Sequence, residues 1–223
     1  MAWAMIFDVD GVVVDTEVLN ARASVMMFAE LYGTQVDAED FREFVGTGDE
    51  RYVEGVAEKY GVAIDVELAV ERRKENFFKL LRDRPLAAMA GVLELVQAGR
   101  EAEDCKLAIA TSGNKDKQFP VITGTGLRLE YFDVVITGDD VSRKKPDPQI
   151  YLVTAERLAI EPSRCVVFED APAGVAAAKA AGMVCVAVTS SVEAEKLQAA
   201  DLVVDSLVEV TIDRLRGMLE CVL

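Results

Sequence analysis

Histidine is absent from all 223 residues, and that one absence removes a large share of enzyme chemistry. No His-based triad, His-ligated zinc or imidazole general base can be built, so carboxylates, lysine, hydroxyls and thiols must carry any reaction. Cysteine is scarce as well. Cys105, Cys165, Cys185 and Cys221 stand singly, mostly inside apolar stretches, without the paired spacing of a zinc site or a small disulfide scaffold. They read as reduced packing residues. Long hydrophobic runs are missing too: Val12-Val13-Val14 and Cys165-Val166-Val167-Phe168 stop far short of the roughly 20 residues needed to cross a bilayer. Positive charge is in deficit, with 24 Lys and Arg against 39 Asp and Glu and a formal net charge of −15. Nucleic acid and anionic membranes, which are bound through clustered Lys and Arg, are therefore not expected partners. The same field repels a phosphorylated substrate, so phosphate chemistry would need a local cation, either a metal or a few placed basic side chains.

What is present is a chain that is 51% hydrophobic, enough for one large core or a core with a smaller companion. Its start, Ala2-Trp3-Ala4-Met5-Ile6-Phe7, is strand-like and lacks the basic start and long apolar stretch of a secretory signal. The expected setting is the cytoplasm, or an organelle stroma if a transit peptide has been removed. A monomer is expected.

Two textures divide the chain. From about Glu17 to Arg84 apolar residues recur at helical spacing, in Val18-Leu19-Arg22-Val25-Met26-Ala29 and again in Phe41-Phe44-Val45. Gly33 and Gly61 fall where helices end, Asp37 and Asp65 where N-caps belong, and Pro85 closes the block. Elsewhere short β-rich runs (Met5 to Val9, Leu107 to Ala110, Val134 to Ile136, Val166 to Phe168, Val184 to Val188) alternate with amphipathic segments. That alternation predicts an α/β fold, a parallel sheet with helices on both faces. The helical block, residues 16–85, is then an insertion after the first strand of a core formed by 1–15 and 86–223.

The polar clusters fall where such a sheet binds ligands. Asp8-Val9-Asp10-Gly11 ends the first run, Thr111-Ser112-Gly113-Asn114 follows the second, and Glu169-Asp170 follows Phe168. In open parallel sheets the crevice lies at the carboxyl ends of the strands, so these clusters should meet, and Lys144-Lys145-Pro146-Asp147-Pro148 can reach the same edge. Asp8 and Asp10 are two apart and in extended chain point to one side, with Gly11 permitting a sharp turn. Their mutual repulsion is resolved by Mg2+, a hard cation that keeps several waters, for which Asp8, the Asp10 carbonyl and Asp170 suffice. Thr111 and the following amides can hold phosphoryl oxygens. Lys145 offsets repulsion between a carboxylate nucleophile and a phosphate dianion. Each cluster has a plainer reading: a surface turn, a helix cap, a solvated lysine, a strand end. Their joint occurrence, in this order at these strand ends, favours a site.

The runs Phe-Asp-Val-Asp-Gly-Val (7–12), Ala-Thr-Ser-Gly-Asn (110–114), Lys-Pro-Asp-Pro (145–148) and Val-Phe-Glu-Asp-Ala-Pro-Ala-Gly-Val (167–175) resemble the four motifs of the haloacid dehalogenase-like hydrolase superfamily. The resemblance covers essentially the whole chain and is nearest to the β-phosphoglucomutase-like subgroup, whose helical cap the 16–85 block matches on a Rossmann-like core. Phe44 to Glu50 also resembles plastid proteins of plants. The resemblance implies a Mg2+-dependent phosphatase of a small phosphorylated metabolite, a sugar phosphate by expectation. Asp8 would form an aspartyl-phosphate, with Asp10 as acid and then base. Thr111 and Lys145 would steady the phosphoryl group, with Gly11, Ser112, Gly113 and Asn114 around it, while Asp8, Asp10, Glu169 and Asp170 hold the metal. Met89-Ala90-Gly91 departs from the pattern, since relatives usually carry a proline before the glycine.

Other branches are weighed from the same residues. Haloacid dehalogenases need no metal and lack the second aspartate, and phosphonate hydrolases use a cap lysine and lack that acid, so Asp10 argues against both. A phosphoglucomutase-type mutase remains the alternative, resembling the chain at Asp15-Thr16 and near Lys115. Asn20 and Asp49, however, stand where the mutase carries a histidine and an arginine. A catalytically silent module that kept the fold is the second alternative, against which the intact Asp8, Asp10, Lys145 and Asp170 count. Because the core motifs see only phosphate, substrate selectivity is expected in the helical block. The candidates there are Gly46-Thr47-Gly48-Asp49 with Arg51, and Arg72-Arg73-Lys74.

Overall fold

The computed structural model describes residues 1–44, 48–83 and 86–221, which divide into two compact units, Met1–Asp15 with Leu86–Leu223, and Thr16–Pro85. The larger unit is built on six strands: β1 (Trp3–Phe7), β2 (Cys105–Ala110), β3 (Val134–Ile136), β4 (Cys165–Glu169), β5 (Val184–Val188) and β6 (Leu202–Val204). All pair in parallel in the order β3-β2-β1-β4-β5-β6. Every residue of β1, β4 and β5 is buried, which is why these segments read as unbroken apolar runs rather than alternating ones.

Helices cover both faces. Ala4 and Ile6 join a core cluster with α6 (Gln149–Leu158) and α7 (Pro172–Ala180) through Tyr151, Ala155, Val175 and Ala178. On the opposite face α4 (Val92–Glu101) lies so close that a Cβ on Gly99 would stand 2.3 Å from Met5 Cε and 2.8 Å from Leu107 Cδ2. Two further helices, α5 (Lys115–Gly124) and α8 (Ile212–Glu220), complete the unit. Phe7 and Phe168, paired in register on β1 and β4, stack with centroids 4.6 Å apart and immediately precede Asp8 and Glu169 in sequence.

The smaller unit holds α1 (Glu17–Tyr32), a 3-10 segment (Ala38–Phe44), α2 (Asp49–Tyr60) and α3 (Val66–Asp83). Gly33 and Gly61 end α1 and α2 with φ of 63° and 64°, the left-handed conformation that glycine adopts without a Cβ penalty. Asp37 Oδ1 accepts from Glu39 N, and Asp65 Oδ1 caps α3 by accepting from Leu68 N. Phe41 lies between Phe28 and Tyr52 in the unit's core.

Several sequence expectations shift. The first strand begins at Trp3 and stops at Phe7 rather than running to Val9, because the Val9 carbonyl accepts from Val12, Val13 and Val14 and turns the chain. Glu169 belongs to β4 rather than following it. The edge strand β6 was not anticipated. The Phe41–Phe44 stretch is 3-10 rather than α, and α1 buries Ala23, Met27 and Phe28 while Val18 is exposed. Cys165 and Cys185 are buried packing thiols, but Cys221 is exposed at the end of α8; all four are free. Val45, Gly46, Thr47, Arg84 and Pro85 lie outside the described residues. No described helix is long and apolar enough to cross a membrane.

Candidate active site

Asp8 follows β1, and its N–H donates to the Phe168 carbonyl at 3.1 Å, so the turn after β1 is tied to the end of β4. Glu169 and Asp170 stand at that end. One carboxylate oxygen from each of Asp8, Glu169 and Asp170 can be chosen so that all three lie within 4.8 Å of one another. Lys145, from the loop beyond β3, enters this group: its Nζ lies 2.6 Å from Glu169 Oε1, 3.0 Å from Asp8 Oδ1 and 3.4 Å from the Ala110 carbonyl. Glu169 is fully engaged. Oε1 accepts from Lys145 and from Tyr151 Oη at 2.6 Å, while Oε2 accepts from the N–H groups of Asp170 and Ala171 at 3.0 and 3.2 Å. Gly174, in the first turn of α7, leaves room for it, since a Cβ there would stand 1.8 Å from Glu169 Oε1.

The second aspartate takes a different direction. Asp10 lies in the turn that follows, where Gly11 N–H donates to the Val14 carbonyl at 2.8 Å, and its Oδ2 accepts from Gln118 Nε2 at 2.7 Å. Asp170 Oδ2 accepts a short hydrogen bond from Ser191 Oγ, and Ser190 Oγ donates to the Gly11 carbonyl at 2.6 Å. After β2, Thr111 is buried and its Oγ1 accepts from Gly113 N–H at 3.2 Å. Asn114 Oδ1 caps α5 by accepting from Lys117 N–H at 3.0 Å, which places residues 111–114 at a strand-to-helix turn. Ser112 and Gly113 are half-buried there, and Asn114 is exposed.

Three carboxylates against one ammonium leave an excess of buried negative charge, and the acidities register it. Burial pushes Asp8 well above the usual carboxylate range against the pull of Lys145. Asp170 is pushed up to about 7, again by burial, against the hydrogen bond from Ser191. Glu169 goes the other way: burial works against its charge, but Lys145 and Tyr151 outweigh it and hold it low. Burial also opposes the charge on Lys145, and Asp8 with Glu169 outweigh that, keeping it firmly protonated. A hard divalent cation fits this donor set, because it supplies the positive charge that the carboxylates lack and accepts oxygen ligands.

Of the helical-block cations, Arg51 pairs with Glu58 at 2.9 Å, Arg72 with Glu75 at 3.0 Å and Glu30 at 3.5 Å, and Lys74 is exposed. Arg73 is buried, paired with Asp49 and 5.1 Å over the Tyr52 ring. Sequence reasoning did not find Gln118, Tyr151, Ser190 or Ser191. The two serines were within reach of the rule that found the others, because they follow the Val184–Val188 run at the same sheet edge. Gln118 and Tyr151 sit on helices and carry no local signal.

The sequence model of haloacid dehalogenase-like hydrolases matches residues 5–188. A validoxylamine A 7'-phosphate phosphatase from Streptomyces hygroscopicus subsp. limoneus is 38% identical over 207 residues, covering 92% of this chain and 94% of its own. The chloroplastic protein SUPPRESSOR OF QUENCHING 1 of Arabidopsis thaliana is also 38% identical, over 194 residues; the match takes 84% of this chain but only 18% of that much longer protein. Among solved structures, a candidate β-phosphoglucomutase from Thermotoga maritima superposes over 100% of both chains with a TM-score of 0.81 at 32% identity.

Proposed function

Because the chain belongs to the haloacid dehalogenase-like hydrolase family, we propose that it is a phosphatase of small phosphorylated metabolites, sugar phosphates above all, with Asp8 as nucleophile. The observation that carries this reading is the placement of half-buried Asp8 beside Lys145 and the buried Glu169 and Asp170 at the carboxyl edge of the sheet. The name of the Streptomyces relative supports the substrate class.

In the first step an Asp8 oxygen attacks phosphorus and the ester P–O bond breaks, while the Asp10 carboxyl gives its proton to the departing sugar oxygen. In the second, Asp10 takes a proton from water, the water oxygen attacks phosphorus, and the bond to Asp8 breaks to release phosphate and restore both side chains. Thr111 Oγ1 and the amides of 112–114 hold the phosphoryl oxygens, and Lys145 offsets repulsion between the Asp8 carboxylate and the phosphate dianion. Mg2+, held by Asp8, Asp170 and the Asp10 carbonyl, would neutralise charge developing on the phosphoryl oxygens. Glu169 acts from behind this set. A carboxylate offers about four lone-pair sites, and Lys145, Tyr151 and two backbone amides already fill those of Glu169. Its part is to hold Lys145 beside Asp8.

The test is phosphate release from a panel of sugar phosphates, with Mg2+ and with EDTA, in the wild type and in Asp8→Asn. Release should require Mg2+ and fall to background in Asp8→Asn with circular dichroism unchanged. Substantial Mg2+-dependent release by Asp8→Asn would overturn the assignment. Sugar phosphate isomerised without phosphate release would favour a mutase.

A further inference from the structure

Among the described residues Gln118 is the one wholly buried amide side chain at the site, and the mechanism above gives it no part. It reaches from α5 across 108 residues of sequence to donate its Nε2 hydrogen to Asp10 Oδ2 at 2.7 Å, with no surface exposed. Its Oε1 is buried and has no hydrogen-bond partner among the described residues. For packing alone a leucine of similar size would serve better, because it brings no carbonyl that must be stripped of water and left unmatched. The loop is shaped around the amide: a Cβ on Gly113 would stand 2.2 Å from Gln118 Nε2 and 2.8 Å from its Cγ.

We propose that Gln118 is a positioning residue that holds the Asp10 carboxyl in the rotamer from which it serves the leaving-group oxygen. The proposal rests on the reading of Asp10 as the proton-transfer group. The Asp10 backbone is already set, by its bridge to Val14 and by the Gly11-to-Val14 hydrogen bond. Backbone restraint does not itself set χ1 and χ2 of Asp10, and a donor rooted in a separate helix bears directly on their direction. Proton transfer is sensitive to such placement, since an error near 1 Å costs about 100-fold.

A merely structural glutamine and a positioning one differ in how they respond to the leaving group. kcat/KM reports the steps through departure of the first leaving group. Protonation matters greatly for a sugar alkoxide and little for 4-nitrophenolate, which is stable as an anion. Gln118→Leu, and Gln118→Met as a second near-isosteric variant, should therefore lower kcat/KM for a sugar phosphate about 10- to 100-fold. The same variants should change kcat/KM for 4-nitrophenyl phosphate less than about 3-fold, with the melting temperature held or raised. On an Asp10→Asn background Gln118→Leu should cost nothing further. Equal losses for both substrates, or a loss that persists on that background, would overturn the positioning role while leaving the Asp10 reading intact. Full sugar-phosphate turnover by Asp10→Asn would sink the Asp10 reading itself, and the proposal with it.

Discussion

Gly11 shows how much one missing carbon can decide. Its φ is +78°, and a Cβ there would stand 1.8 Å from Asp170 Oδ2 and 2.8 Å from Ser191 Oγ. Gly11→Ala should therefore cost about 1–2 kcal/mol in backbone strain alone, and it should push Asp170 out of place. The expected outcome is a lowered melting temperature together with a raised Mg2+ concentration for half-maximal activity; an unchanged Mg2+ titration would detach Gly11 from the metal site. Asp8, Lys145 and Asp170 were legible in the sequence because each stands beside a strand-like run or a Pro-rich turn, where local pattern marks the sheet edge. Gln118 was not, because its importance lies wholly in the partner it touches, 108 residues away.

At the scale of elements, α5 carries Gln118 and begins where the turn of residues 111–114 ends, so its first turn ties the candidate site to the fold. Asn114 accepts from Lys117 N–H, and Pro120 inside the helix supplies no N–H of its own. A helix so interrupted depends on its cap. Asn114→Ala should cost about 1 kcal/mol, within the 0.5–2 typical of a lost N-cap, read from urea unfolding followed by the fluorescence of Trp3, the one tryptophan. No measurable loss would mean that packing of Val121 and Ile122 alone holds α5 in place. The strands most legible in the sequence were the fully buried ones, since a strand covered on both faces is apolar throughout. The edge strand β6, Leu202–Val204, escaped although β3, Val134–Ile136, is an edge strand of the same length and was found, so shortness alone does not account for the miss. The buried side of α1 escaped because apolar residues are spread around most of the helix.

For the whole molecule, a net charge of −15 means that the protein's field opposes both its proposed substrate and any further anion, so attraction must be local. The three-carboxylate cluster brings negative charge together with Glu169 and Asp170 buried, and a bound cation should relieve it. Mg2+ at 100 times its dissociation constant is expected to stabilise the fold by about 2.7 kcal/mol, seen as a melting temperature higher by several degrees. Asp170→Ala should abolish that dependence, and a Mg2+ effect that survives this change would place the metal elsewhere. Local pattern in the sequence determined the α/β class, the helical block between the first strand and the rest, and the acidic clusters at strand ends. Residue type and spacing suffice for these, because periodicity and turn chemistry act over a few neighbours. Only the tertiary structure decided that Asp8, Glu169 and Asp170 share one cluster while the Asp10 side chain turns to Gln118, and that Glu169 is saturated by Lys145, Tyr151 and two amides. Those outcomes depend on strand order, on the turn after Phe7 and on helices packed from distant sequence, where contact is set by the packing of the whole fold rather than by any local run of residues.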